Sequence, residues 1–276
     1  MLKKHDVIKA FKDIGILPTD TLLVHSSMKS MGYVDGGPRT VIDALIEVVD
    51  KGTLVFPTLF QKERHIAYKE WDVANSPSSV GLLSETFRRM PSVVRSDNET
   101  HSVAALGVNA EYITSTHRGG KGRVGVFGSS PFSHTSPWQK MYELDAKVVM
   151  LGVTMVYNTF KHFVEYVLVD EILQSLDEHT QKEATSLLQT FDYNPNCPES
   201  SYNNPDGLWF FHDGLLAQNE MQQLGLLSIG KCGDATLVGF RVKEFFEYMY
   251  NQFKTNPEKW FENNTIEWLN RYSKRG

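Results

Sequence analysis

The run from Thr21 to Pro57 constrains the fold more than any other part of the chain. It reads TLLVH, a small-residue turn SSMKSMG, then VDGG, a helical stretch and finally TLVFP. The two short apolar runs read as buried strands. Between them, Thr40 to Asp50 places Val41, Ala44, Leu45 and Val48 at helical spacing, with Pro38 at a natural helix start and Lys51-Gly52 as the stop. Strand, turn, helix and strand in this order predict a βαβ unit with its two strands parallel.

The remainder extends that α/β pattern. An opening amphipathic helix carries Val7, Ile8, Phe11 and Ile14 and stops at Gly15. A polar, aromatic loop is expected over 59–77, a helix over 81–90, and either tight packing or a short strand in SVAALG at 102–107. The Gly- and Ser-rich stretch 119–136 has the composition of a flexible loop. KVVMLG at 147–152 predicts another buried strand, and 159–176 a helix with His162, Glu165 and Tyr166 along one side. Residues 193–206 (YNPNCPESSYNNPD) form a Pro/Asn-rich excursion expected to be an insertion loop. Beyond it, 215–224 and 242–253 read as helices and 235–240 as a strand. No repeat or linker divides the chain, so a single domain over residues 1–276 is expected.

Composition removes several function classes. The net charge of −5 argues against a general nucleic-acid binder, which carries a basic face. Two cysteines, Cys197 and Cys232, are too few and too far apart for a disulfide framework or a thiolate zinc site. The first residues lack the continuous apolar core of a signal peptide, and nowhere do about 18 apolar residues run together. A cytoplasmic protein with no membrane partner is expected.

Two segments could carry chemistry. In HSSMKSMGYVDGG (25–37), a strand ending in small residues and leading into a helix lets backbone N–H groups face an anion. Ser26, Ser27 and Ser30 add hydroxyls, Lys29 a point charge, and Gly32, Gly36 and Gly37 close backbone approach. It matches neither the Walker loop nor the dinucleotide fingerprint, and a plain strand-to-helix turn fits it equally. In NTFKHFVEY (158–166), His162 and Glu165 are one helical turn apart. A carboxylate beside an imidazole fixes its tautomer and stabilises the imidazolium, as a general base requires. A surface pair without a role has the same spacing. Neither HExxH nor GxSxG occurs, which weighs against a zinc site and a serine hydrolase.

Taken in order, LLVHSSMKSMGYVDGG (22–37), GTLVFPT (52–58), WD (71–72), GLLSETFRRMPSVVRS (81–96), HSVAALG (101–107), SPWQKMYELDAKVVMLGV (136–153) and NTFKHFVEY (158–166) resemble the aminoglycoside 3-N-acetyltransferase family. The match covers most of residues 1–170 and is looser after that, chiefly at KCGDATLVGF (231–240). The resemblance implies a three-layer α/β/α domain with a mixed sheet, acetyl-coenzyme A as donor, and direct transfer to a small-molecule amine; no metal is expected, since no ligand spacing accompanies His162 and Glu165. It implies His162 as base and Glu165 as its orienting partner. The coenzyme site would be lined by Ser26, Ser27, Lys29, Ser30, Val34, Gly36, Thr58, Ser102 and Val103. Asp72 and Glu99, together with Glu63, are candidates to hold a cationic acceptor, and Thr159 to steady the reacting carbonyl.

Three features depart from the family pattern. Where the family has RSxHPxHS, this chain has RSDNETHS, with Asn98 and Glu99 in place of the His-Pro pair. The stretch between Pro57 and Gly81 is compact, and the 193–206 excursion is not a family hallmark. These changes fall on the acceptor side, so an amino sugar linked to a nucleotide is an alternative to an aminoglycoside. A coenzyme A-binding protein without turnover is a further alternative. A homodimer is compatible with any of these readings, and the sequence defines no interface.

Overall fold

The strands with the longest apolar runs in the sequence lie at the centre of the sheet. In a computed structural model that describes residues 1–60, 70–118, 122–125, 127–191 and 213–273, β1 (Thr21–Ser26) pairs in parallel with β2 (Thr53–Pro57) on one side and with β5 (Lys147–Leu151) on the other. Antiparallel strands flank this trio. β4 (Val103–Gly107) and the short β3 (Val94–Arg95) extend it beyond β2, and β7 (Ala235–Arg241) and β6 (Ser228–Cys232) extend it beyond β5. The described sheet therefore has seven strands in the order β3-β4-β2-β1-β5-β7-β6.

Side chains alternate between two cores, as a period of two dictates. Leu22, Val24, Leu54, Phe56, Val149 and Leu151 face α1 (Lys4–Asp13), α2 (Gly37–Val48) and α3 (Leu82–Arg88). Leu23, Val55, Val103, Ala105, Val148 and Met150 point the other way, toward α4 (Ala110–Thr114), α5 (Pro137–Glu143) and α6 (Phe160–Gln174). Next to α6 pack α7 (Glu178–Phe191) and α9 (Val242–Thr255), while α8 (Gly214–Gln223) and α10 (Asn263–Tyr272) complete that layer. The expected three-layer α/β/α architecture with a mixed sheet is what forms.

Several expectations shift in detail. α2 begins at Gly37 rather than Thr40, because Gly36 in the left-handed region (φ 73°) turns the chain into the helix and Pro38 takes its first turn. SVAALG is a strand, since its carbonyls and amides complete the open edge of β2. The Gly- and Ser-rich stretch forms no helix or strand in its described part, yet it is pinned rather than free. Phe127 and Phe132 are buried, the Phe127 N–H donates to the Tyr166 hydroxyl (2.8 Å), and the Arg123 guanidinium donates to the Phe132 carbonyl (3.0 Å). The 193–206 excursion, Cys197 and Glu63 lie outside the described residues.

Candidate active site

β1 feeds α2 and β2 on one side while β5 lies on its other side. Open α/β sheets bind ligands at such a reversal of strand order, beyond the carboxyl ends of the strands. A cleft of about 410 Å³ sits there. His25 and Ser26 enter it from the end of β1, Pro57 and Leu59 from the end of β2, and Val153 to Thr159 from the segment after β5. His101, just before β4, reaches the same end because β4 runs antiparallel. Lys161 and His162 complete the wall from α6.

α6 is buried on most of its faces, so His162 and Glu165 are not a surface pair. Glu165 is 1% exposed and His162 9%. The Glu165 carboxylate accepts from His162 Nδ1 at 3.0 Å. A carboxylate has no hydrogen of its own to give when ionised, so the shared one belongs to Nδ1, and proton exchange with a ligand falls to Nε2. The imidazole is held from the side by rings. Its centroid lies 4.9 Å from Phe127 and 6.2 Å from both His101 and Phe132. Burial lowers the affinity of the neighbouring Lys161 ammonium for its proton, against the attraction of Glu165. Its Nζ donates to the Val156 carbonyl at 3.0 Å.

The RSDNETHS segment builds the wall behind this pair. Asn98 Oδ1 accepts from the Thr100 and His101 N–H groups (3.2 and 2.7 Å), and Nδ2 donates to Ser130 Oγ (3.1 Å). His101 is then fixed by the Thr100 hydroxyl at Nδ1 (2.9 Å) and by Trp138, whose Nε1 donates to its carbonyl (3.1 Å). Asn98, where the family pattern has histidine, is a 1% exposed clamp for this turn. Arg95 anchors the adjoining loop. It donates to Thr58 Oγ1, to the Thr58 carbonyl and to the Ser76 carbonyl, and lies 4.5 Å over the Trp71 ring. Burial lowers its pKa to about 10, so it stays charged at neutral pH.

Of the residues singled out by sequence, Ser26, Thr159 and His162 line the cleft. Ser27 and Ser30 share a hydrogen bond (2.9 Å) in the adjoining turn, and Lys29 is exposed there. Val34 packs into the core beside α1 and α2 and bridges Leu2. Gly36 begins α2; a side chain there would meet Thr40 Oγ1 at 2.4 Å. Thr58 and Ser102 are fully buried and bonded to each other (3.1 Å), with Val103 buried beside them. None of these three lines the cleft. The Asp72 carboxylate turns back on its own loop, accepting from Ala74 N, Asn75 N and Asn75 Nδ2, which hold it below the usual carboxylate range. Glu99 is half-buried, and its carbonyl accepts from Phe60 N at 3.3 Å.

Sequence reasoning did not single out His25, His101, Asn158 and Lys161 as site residues, although all four lie in or beside the quoted motifs. Asn158 and Lys161 precede His162 in one block, and that proximity was the available signal. His25 and His101 come from distant strands and meet the cleft only through the sheet. Among the described residues, no three of His, Cys, Asp and Glu gather as metal ligands, and no helix is long and apolar enough to cross a membrane.

Comparison with known proteins agrees with this geometry. The family model for aminoglycoside 3-N-acetyltransferases matches residues 23–254. The aminoglycoside N(3)-acetyltransferase IV of Salmonella sp is 32% identical over 202 residues, covering 71% of each chain. The type VII enzyme of Streptomyces paromomycinus is 30% identical over 170 residues, covering 55% of this chain and 56% of its own. Among solved structures, the apoenzyme of AAC(3)-IVa superposes with a TM-score of 0.69 at 24% identity, covering 97% of this chain and 94% of that one. AAC-IIIb in its binary complex with CoASH gives 0.69 at 18% identity, covering 99% and 98%. At those identities the two structures speak for the fold alone, whereas the family model and the Salmonella relative decide the kinship. The chain belongs to the aminoglycoside 3-N-acetyltransferase family.

Proposed function

We propose that this protein transfers the acetyl group of acetyl-coenzyme A to the amine of an amino sugar. The observation that carries the reading is the buried His162–Glu165 pair at the wall of a cleft beyond the carboxyl ends of three parallel strands. The amine nitrogen attacks the thioester carbonyl, and its proton passes to His162 Nε2. The imidazolium formed is stabilised by the Glu165 carboxylate through Nδ1. Collapse of the tetrahedral adduct breaks the C–S bond, and the coenzyme leaves as a thiol once it has taken a proton. The products are an N-acetyl amine and coenzyme A. The chemistry needs no metal and no acyl-enzyme. The turn from Ser26 to Gly36 supplies the hydroxyls, backbone amides and charge for the donor, with Thr58, Ser102 and Val103 as its buried support. Asp72 and Glu99 are proposed to act on the acceptor side, and Thr159 beside the reacting carbonyl.

The relatives' names point to aminoglycosides as acceptors. A second acceptor class rests on the described lining of the cleft, which includes Lys161 and no carboxylate, the His25 imidazole being neutral at neutral pH. Such a wall suits an amino sugar bearing phosphate better than a polycation. The test is thiol release from acetyl-coenzyme A across aminoglycosides and nucleotide-linked amino sugars. The His162→Ala variant is expected to lose about 10²–10⁴-fold in kcat. Near-normal turnover in that variant would end the assignment. Release with one acceptor class alone decides between the two readings.

A further inference from the structure

Among the described residues, two buried polar atoms in the cleft wall have no hydrogen-bond partner: His25 Nε2 and Asn158 Nδ2. His25 is 6% exposed and Asn158 1%. Proteins rarely leave buried donors unsatisfied, and where they do so at a cleft, a ligand group commonly completes them. The orientation of the Asn158 amide is fixed by its other end, since Oδ1 accepts from Phe160 N at 3.1 Å. Nδ2 is therefore the end left over, and an amide nitrogen can only donate. Burial lowers the His25 pKa to about 4, so its imidazole is neutral at neutral pH, and the tautomer with its hydrogen on Nε2 is the one that donates into the cleft.

The two residues come from different parts of the fold. His25 stands on β1, and Asn158 stands just before α6, one turn ahead of His162. They line the same cleft as the base.

We propose that Asn158 and His25 are the donors that receive the acyl oxygen, holding the thioester carbonyl and the oxyanion formed when the amine adds to it. This rests on the acetyl-transfer reading and names the groups that share the developing charge. As nitrogen adds to the carbonyl carbon, the C=O π pair moves onto oxygen. Donors preorganised around that oxygen lower the barrier most.

The test uses the full-length protein and two variants that keep the fold. Asn158→Asp retains the oxygen that accepts from Phe160 N and loses the donor. His25→Leu is close in volume and removes the orphaned nitrogen. Each is expected to lower kcat by about 10²–10³-fold, as the loss of one oxyanion donor does elsewhere. His25→Leu should not lower Tm, because the deleted nitrogen satisfies nothing in the free protein. Asn158→Asp places a carboxyl group at a 1% exposed position, so its kcat is read beside that of the uncharged Asn158→Leu. A structural role would instead lower Tm and spare kcat. A second measurement needs no acceptor: the infrared carbonyl band of bound acetyl-coenzyme A labelled with ¹³C at the thioester. The band should shift to lower frequency on binding, and the shift should shrink in both variants. Kcat within threefold of wild type in either variant, or an unshifted band in the wild type, overturns the assignment. If the band shifts as expected but no amine accepts the acetyl group, the donors stand and the transferase reading falls. Absence of acetyl-coenzyme A binding overturns both.

Discussion

Replacing Glu165 with glutamine isolates what the carboxylate contributes. The side chain is 1% exposed and accepts from His162 Nδ1 at 3.0 Å. Glutamine fills the same volume and can still accept through its amide oxygen, so the imidazole keeps its orientation and tautomer. Only the charge is lost. At about 4 Å and an effective dielectric of about 20, a full charge pair is worth up to about 4 kcal/mol. The net value of a hydrogen bond to a charged group is lower, about 1.5–3 kcal/mol. Because the imidazolium exists only after the proton has moved, the loss falls on the transition state. It corresponds to a decrease of about 10- to 150-fold in kcat. The assay is thiol release at saturating acetyl-coenzyme A, with coenzyme A affinity and Tm measured alongside. Both controls should stay at wild-type values. The double variant Glu165→Gln/His162→Ala should be no slower than His162→Ala, since the carboxylate acts through the imidazole. A kcat within twofold of wild type in Glu165→Gln would refute the pairing, as would losses that simply multiply in the double variant.

Other expectations follow from groups away from the base. Arg95→Ala removes donors to Thr58 and Ser76 and the stack on Trp71, so it should destabilise the fold by about 2–4 kcal/mol, seen as a lower urea midpoint. An unchanged midpoint would show that the loop is held by other contacts. In Gly125→Ala the new methyl would come within 2.0 Å of the Tyr166 ring, whose hydroxyl fixes Phe127 N. Overpacking of about 1–3 kcal/mol should appear in Tm, with a loss of turnover because Phe127 flanks His162. Full activity would show that the ring yields without disturbing the base. Burial lowers the pKa of His25 to about 4 and of His117 to about 3 from 6.5. Above pH 6.5 both are neutral folded or unfolded; below it the unfolded chain takes up protons that the folded chain refuses. Stability should therefore fall on acidification from pH 6.5 toward 4, by up to about 1.4 kcal/mol per pH unit for each histidine, and His117→Asn should flatten the dependence. Identical slopes in the two proteins would refute this.

How much of this was legible in the sequence depends on whether the signal is local. β1, β2 and β5 announce themselves because strands covered on both faces must be apolar at every position, and the helix between the first two shows its stripe. The His162–Glu165 pair was visible as a spacing, but the same spacing occurs on exposed helices. What separates the two cases is the burial of α6, set by neighbours distant in the chain. α5 was not singled out from the sequence, although Ser136, which accepts from Gln139 N, and Pro137 in the first turn mark its start. Edge strand β6 carries no such mark, since SIGKC has few apolar residues and owes its conformation to β7. The cleft was the least legible part. His25 and His101 look like ordinary core histidines until the sheet brings the end of β1 and the start of β4 to one cleft, with β2 between them.

The placement of β5 between β1 and β7 has a consequence for how the protein acquires activity. The cleft draws on segments from His25 to His162, and β5, the strand that leads into one of them, is held on one side by β7, more than 80 residues further along the chain. Such pairings close long loops, and they come late in folding. A nascent or clipped chain that ends before β7 leaves one edge of β5 open, exposing a hydrogen-bonding rim on the strand that leads into the reaction centre. Catalytic competence is thus a property of the finished sheet, and damage at the carboxyl-terminal strand reaches the chemistry without touching it.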